Sequence, residues 1–137
     1  MMRDDHVGAL DAHLQRCAAL PFDYVQMDCA RFVGEWVRTA TGVDHLGMIS
    51  WNSEAAARKW LNSNGLSSLP AAVDQFLPSI SVARAGVGDV VAVSGTPGDL
   101  SWTPLGICLG RYSAFLVPDV GIVRLRTLSA IRAWSVF

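Results

Sequence analysis

Histidine is scarce in this chain: there are three, and none lies beyond His45. Imidazole is the usual general base at neutral pH, so the long C-terminal stretch carries no ordinary candidate for that task. Charge is scarce as well. Only 17% of residues are charged, with eleven basic against twelve acidic side chains and a formal net charge of −1. Nucleic-acid binders carry a basic stripe, whereas the second half here holds only the dispersed Arg84, Arg111, Arg124, Arg126 and Arg132. Nucleic acid is therefore not an expected partner. The cysteines Cys17, Cys29 and Cys108 are odd in number and have no C-x-x-C spacing, which excludes both a disulfide framework and a zinc module. A reducing compartment fits them. A metal or iron–sulfur centre built from those three would need three distant elements to converge, so no metal and no cofactor is expected. No apolar run approaches the length that spans a bilayer, and the opening Met-Met-Arg-Asp-Asp does not read as a secretory leader. Internal repeats, linkers and low-complexity segments are absent too.

What is present is apolar. Hydrophobic residues make up 51% of the 137, enough for one sizeable core and one domain. High apolar content with little charge also implies that partner proteins cover part of the surface.

The first part of the chain, residues 1–78, reads as mainly helical and residues 79–137 as mainly strands. Val7, Leu10, Leu14, Cys17 and Ala18 recur at helical spacing from His6 to Leu20, and Pro21 stops that helix. A second helix starts at Asp28 or Cys29, carries Phe32, Val33, Trp36, Val37 and Ala40 on one face, and closes at Thr41-Gly42. Asn52-Ser53-Glu54 opens a third helix through Leu61, and Asn64-Gly65 is a turn. Ser67 or Ser68 caps a fourth, with Leu69, Val73, Phe76 and Leu77 as its apolar set. Strand signals follow over Ile80–Arg84, Val90–Val93, Leu105–Leu109, Tyr112–Val117 and Gly121–Leu125. Ser94 to Ser101, with Gly95, Pro97 and Gly98, reads as a loop. Thr127 or Ser129 caps one helical turn, and Ala133–Phe137 closes the chain as an edge strand. Helices first and strands after is the α+β pattern, an antiparallel sheet with helices on one face.

The chemistry centres on Asp28-Cys29, placed where an apolar-periodic helix begins. Unpaired N–H groups and the backbone dipole favour a thiolate at a helix N-terminus, so Cys29 is the candidate nucleophile. Asp28 is the expected helix cap, a role worth about 1 kcal/mol. His45 is the nearest alternative base, a whole helix length or roughly 20 Å away. His13 reaches the cysteine only through helix packing, and His6 falls in a frayed helix start. Asp89, in Gly88-Asp89, reads as a turn residue, and Cys108 as core on a strand. The tryptophans Trp36, Trp51, Trp60, Trp102 and Trp134 suit carbohydrate stacking but serve more often as core or interface anchors; the polar flanks of Trp51 and Trp102 make these two the interface candidates.

In order along the chain stand Asp28-Cys29, Gly88-Asp89 and Thr103-Pro104-Leu105-Gly106-Ile107-Cys108-Leu109-Gly110. This series resembles the NlpC-type cell-wall cysteine peptidases, papain-like α+β enzymes that cut peptidoglycan stem peptides. The resemblance implies that Cys29 falls on the nucleophile and that Pro104, or else Leu105, falls where the family holds its histidine. Neither side chain accepts a proton, which breaks acyl transfer as that family performs it. Phe-containing Asp-Cys, Thr41-Gly42-Val43-Asp44, the Leu-Gly-Ile-Cys strand and Ala133-Trp134 are similar to a group of small tail proteins of long-tailed phages. That likeness implies a structural or assembly component of the virion tail tip, made in the host cytoplasm and built on a degenerate peptidase scaffold. Its implied neighbours are the hub, distal tail and tape measure proteins. The other expectation is an active cysteine peptidase or amidase that cuts peptidoglycan during entry, with a base supplied within the chain or by a partner. The missing base favours the assembly role over the enzyme. A host-encoded wall-modifying enzyme is a third expectation, disfavoured by the lack of a leader.

Overall fold

The computed structural model describes residues 4–19, 28–45, 51–66, 68–94, 104–117 and 120–137. Pro21 to Gln26, the Ser67 cap, most of the Ser94–Ser101 loop, Trp102 and Thr103 lie outside them.

Among the described residues four helices precede the sheet: α1 (Asp4–Ala18), α2 (Cys29–Thr41), α3 (Glu54–Ser63) and α4 (Leu69–Val73). Each of the last three begins where the sequence supplies a side-chain acceptor. Asp28 accepts from the Arg31 N–H, Ser53 from the Ala56 N–H and Ser68 from the Ala71 N–H. Helix α2 ends at Gly42, whose φ of 80° is the left-handed closing conformation. Helix α4 is only five residues long, because a turn takes over after Val73. On α1 the inward face is Leu10, His13, Leu14 and Cys17, at i, i+3, i+4 and i+7. Val7 stands 54% exposed and Ala18 also faces out, so His13 takes a core position that the apolar pattern assigns elsewhere. His6 falls in the first turn of α1, with its ring 5.1 Å from that of Phe137.

The described residues then form six antiparallel strands: β1 (Ser79–Ile80), β2 (Val90–Ala92), β3 (Leu105–Cys108), β4 (Tyr112–Val117), β5 (Gly121–Arg126) and β6 (Arg132–Trp134), in the order β1-β6-β2-β3-β4-β5. The alternation from Ile80 to Arg84 yields only the short β1, since a 3₁₀ turn occupies Val82–Arg84. The C-terminal strand is an interior one. Ala133 pairs with both Ile80 and Val91, so β6 lies between β1 and β2 instead of at the edge. The one-turn helix after β5 spans Thr127–Ser129.

Helices and antiparallel sheet together make an α+β protein. Strand alternation divides its core in two. Val90, Ala92, Leu105, Ile107, Ala114, Leu116 and Trp134 pack against the helices with Phe32, Val33, Trp36 and Val37. Val91, Val93, Cys108, Phe115 and Ala133 point the other way, under Val82, Ala85 and Ala130. Cys108 is thus core, as a strand-alternating thiol should be. Trp36 joins the layers by donating its indole N–H to the Gly88 carbonyl at 2.8 Å. The next residue, Asp89, accepts from the Gly86 N–H at 2.9 Å and from the Val136 N–H at 3.0 Å, fixing both the turn into β2 and the chain end after β6.

Candidate functional site

The Asp28-Cys29 step is built from three segments. Asp28 caps α2 through Oδ1, which accepts from the Arg31 N–H at 2.8 Å. Its Oδ2 accepts from the Arg31 guanidinium at 2.9 Å and from the Trp51 indole N–H at 2.6 Å. Arg31 also donates to the Trp51 carbonyl at 2.8 Å, so carboxylate, guanidinium and tryptophan close a ring of bonds. Asp28 is 2% exposed and yet fully satisfied, which is what makes a buried carboxylate tolerable. The cap role expected of Asp28 is therefore one part of a larger network.

Trp51 is the member that local sequence misplaces. Its polar flanks suggest a surface anchor, but the side chain is 4% exposed, tied to Asp28 at its nitrogen and packed edge-on against Trp60 at 5.3 Å between centroids. It is a core residue. The other interface candidate, Trp102, lies outside the described residues.

Cys29 follows the cap as the first residue of α2 and is 4% exposed. Burial pushes its thiol up to about 12, and the neighbouring Asp28 carboxylate adds to the rise. Backbone groups of Leu105, Ala30 and Cys29 itself act in the opposite direction and are outweighed. The helix-terminus advantage that the sequence suggests is real but smaller than the cost of removing the sulfur from water. Cys17 and Cys108 are likewise buried, and none of the three is in a disulfide.

The sulfur faces the start of β3, at the Leu105 backbone. Pro104 precedes it, and its carbonyl accepts from the Val93 N–H at 3.2 Å. Of the pair that the resemblance assigns to the base position, the Leu105 backbone stands at the thiol and Pro104 is its chain neighbour; neither carries a titratable group. His45 lines a cavity of about 80 Å³ with Ala30, Trp51, Phe76 and Leu105, its ring 4.7 Å from that of Phe76. Among the described residues no hydrogen bond joins it to Cys29. Apart from His45, the cavity is lined by apolar and aromatic residues, which leaves little to orient a peptide.

Away from the thiol, the described residues that could together hold a metal are His13, Cys17 and Glu35, from α1 and α2. Sequence reasoning passed over this group because it weighed the cysteines against one another. The usable signal was His13 and Cys17 one helical turn apart. Arg31 was also missed, although Asp28-x-x-Arg31 places the two side chains on one face of the first turn.

Fold and site together define an α+β protein with a capped, sealed thiol at a helix start. The chain belongs to the family described as Domain of unknown function (DUF6950), whose model matches residues 1–136. Comparison with curated proteins gave no match, and comparison with solved structures gave none either. No helix among the described residues is long and apolar enough to cross a membrane.

Proposed function

We propose that this chain is a structural component of a long-tailed phage tail tip, built on an NlpC-like, papain-like scaffold that no longer cuts peptide bonds. The observation that carries the proposal is the state of Cys29. A cysteine nucleophile must be ionised and accessible, whereas this thiol is buried, raised to about 12 and met by the Leu105 backbone rather than an imidazole. The scaffold half of the reading draws on the order of its parts: an Asp-capped cysteine opens a helix that packs on the antiparallel strand β3, at whose start the resemblance would put the base.

The assembly half draws on the surface. Val120, Leu125, Leu128 and Ile131 stand 67%, 41%, 78% and 52% exposed just before β5, on it and in the segment after it, the kind of apolar surface that partner proteins cover. Hub, distal tail and tape measure proteins are the proposed neighbours. The virion is the proposed location.

Two measurements test this together. Antibody against the chain should decorate purified virions at the tail tip, and the isolated protein should release no new amino groups from peptidoglycan. Stem-peptide cleavage that disappears in Cys29→Ser would replace the proposal with the peptidase reading. Absence of the chain from purified virions would remove the assembly role.

A further inference from the structure

We propose that His13, Cys17 and Glu35 form a divalent-metal site, of the zinc type, that clamps α1 to α2. Their ligand atoms all lie within 4.8 Å of one another, and the three residues are buried, buried and half-buried respectively. A tetrahedral zinc with ordinary Zn–S and Zn–N bonds needs its ligand atoms about 3.6 Å apart, so small side-chain rotations close the site. Cys17 Sγ lies 3.9 Å from His13 Nδ1 and 3.7 Å from Nε2, so closing the site takes a rotation that carries the sulfur toward the Nδ1 side.

The histidine is prepared for coordination. Its Nε2 lies 2.8 Å from the Phe32 carbonyl. A carbonyl only accepts, so Nε2 carries the proton and Nδ1 presents a lone pair. Metal-bound histidines are held in this way, with the far ring nitrogen donating to a carbonyl or carboxylate. Stacking on Phe32, at 5.4 Å between centroids, fixes the ring plane.

A cation already occupies this place. Nη2 of Arg16 lies 3.1 Å from His13 Nδ1 and 2.9 Å from Glu35 Oε2, bridging two of the three ligands. The Arg16 side chain is 54% exposed, so it can swing into water and leave the position to an ion. On binding, Cys17 gives its thiol proton to solvent and coordinates as thiolate. The three protein donors leave a fourth position for water. The site uses neither Cys29 nor the cavity beside it, and its fate is independent of the proposed function.

Cobalt(II) is the direct probe, because a thiolate ligand gives an intense near-ultraviolet charge-transfer band and a tetrahedral field gives strong visible bands. The metal-free protein titrated with cobalt should show both, saturating at one ion per chain, and zinc should displace them. Cys17→Ser should abolish the charge-transfer band, and Glu35→Gln should weaken binding by at least about tenfold. Arg16→Met guards against mere misfolding. It leaves every ligand in place and removes the competing cation, so it should tighten binding severalfold and enlarge the thermal shift caused by zinc. A titration without a thiolate band, a band that survives Cys17→Ser, or an Arg16→Met protein that binds no better would each overturn the proposal.

Discussion

The Trp51 indole N–H donates to Oδ2 of Asp28 at 2.6 Å, joining residues 23 apart in sequence across the start of α2. The Asp28 carboxylate therefore serves two tasks at once, capping a helix and anchoring the segment that leads into α3. With Arg31 included, every polar atom in this buried corner has a partner.

Removing that carboxylate should cost far more than losing a helix cap. Asp28→Ala takes the carboxylate from a mostly buried guanidinium and the Oδ2 acceptor from the Trp51 indole N–H, so the expected loss of unfolding free energy is about 3–5 kcal/mol. An isolated cap contributes only about 1 kcal/mol. Equilibrium denaturation in urea, compared with Ser53→Ala at the exposed cap of α3, measures the difference. Similar losses in the two variants would show that the Asp28 network is no more than a cap.

A second expectation concerns Gly106, opposite Phe115 on β4. A Cβ at Gly106 would lie 2.5 Å from the Ala114 carbonyl oxygen and 2.5 Å from the Phe115 ring. The oxygen belongs to the strand backbone and cannot step aside. Gly106→Ala should destabilise by about 2–3 kcal/mol, at the upper end of overpacking costs, and denaturant midpoints will report it. The Leu-Gly-Ile-Cys motif is thus constrained by packing, whatever its ancestry.

Alkaline stability offers a third. The Cys29 thiol ordinarily titrates near 9.0, and burial raises it to about 12 in the folded chain. Below pH 9 both folded and unfolded chains hold the proton and the group is neutral to stability. Between 9 and 12 only the unfolded chain releases it, so stability falls as pH rises, by up to about 1.4 kcal/mol per pH unit. Cys29→Ala should flatten that limb in urea denaturation series taken across the window. An unchanged limb would mean that Cys29 titrates normally in the folded state.

Much of the architecture was legible because local chemistry dictated it. Asp28, Ser53 and Ser68 each accept from an early helix N–H, and Gly42 closes α2 where its φ of 80° suits glycine alone. Tyr112–Val117 was readable end to end as a strand. What failed was information that only the assembled chain holds. The C-terminal strand resembles an edge strand in isolation, yet Ala133 is flanked by Ile80 and Val91. Trp51 looks exposed among polar neighbours until Asp28 and Arg31 arrive from α2. Cys29 was the hardest case. Its helix-start position argues for a thiolate, and the opposing desolvation comes from packing that no local motif records.

The reactivity of Cys29 in the native protein tests the central claim most directly. Alkylation by a thiol-selective reagent between about pH 4 and 9, with Cys29→Ser as control, separates a sealed thiol from a poised one. The expected result is slow labelling, limited by opening of the fold, with no acidic titration limb. Rapid labelling with an apparent pKa near or below about 6 would contradict it and make Cys29 a nucleophile awaiting its base.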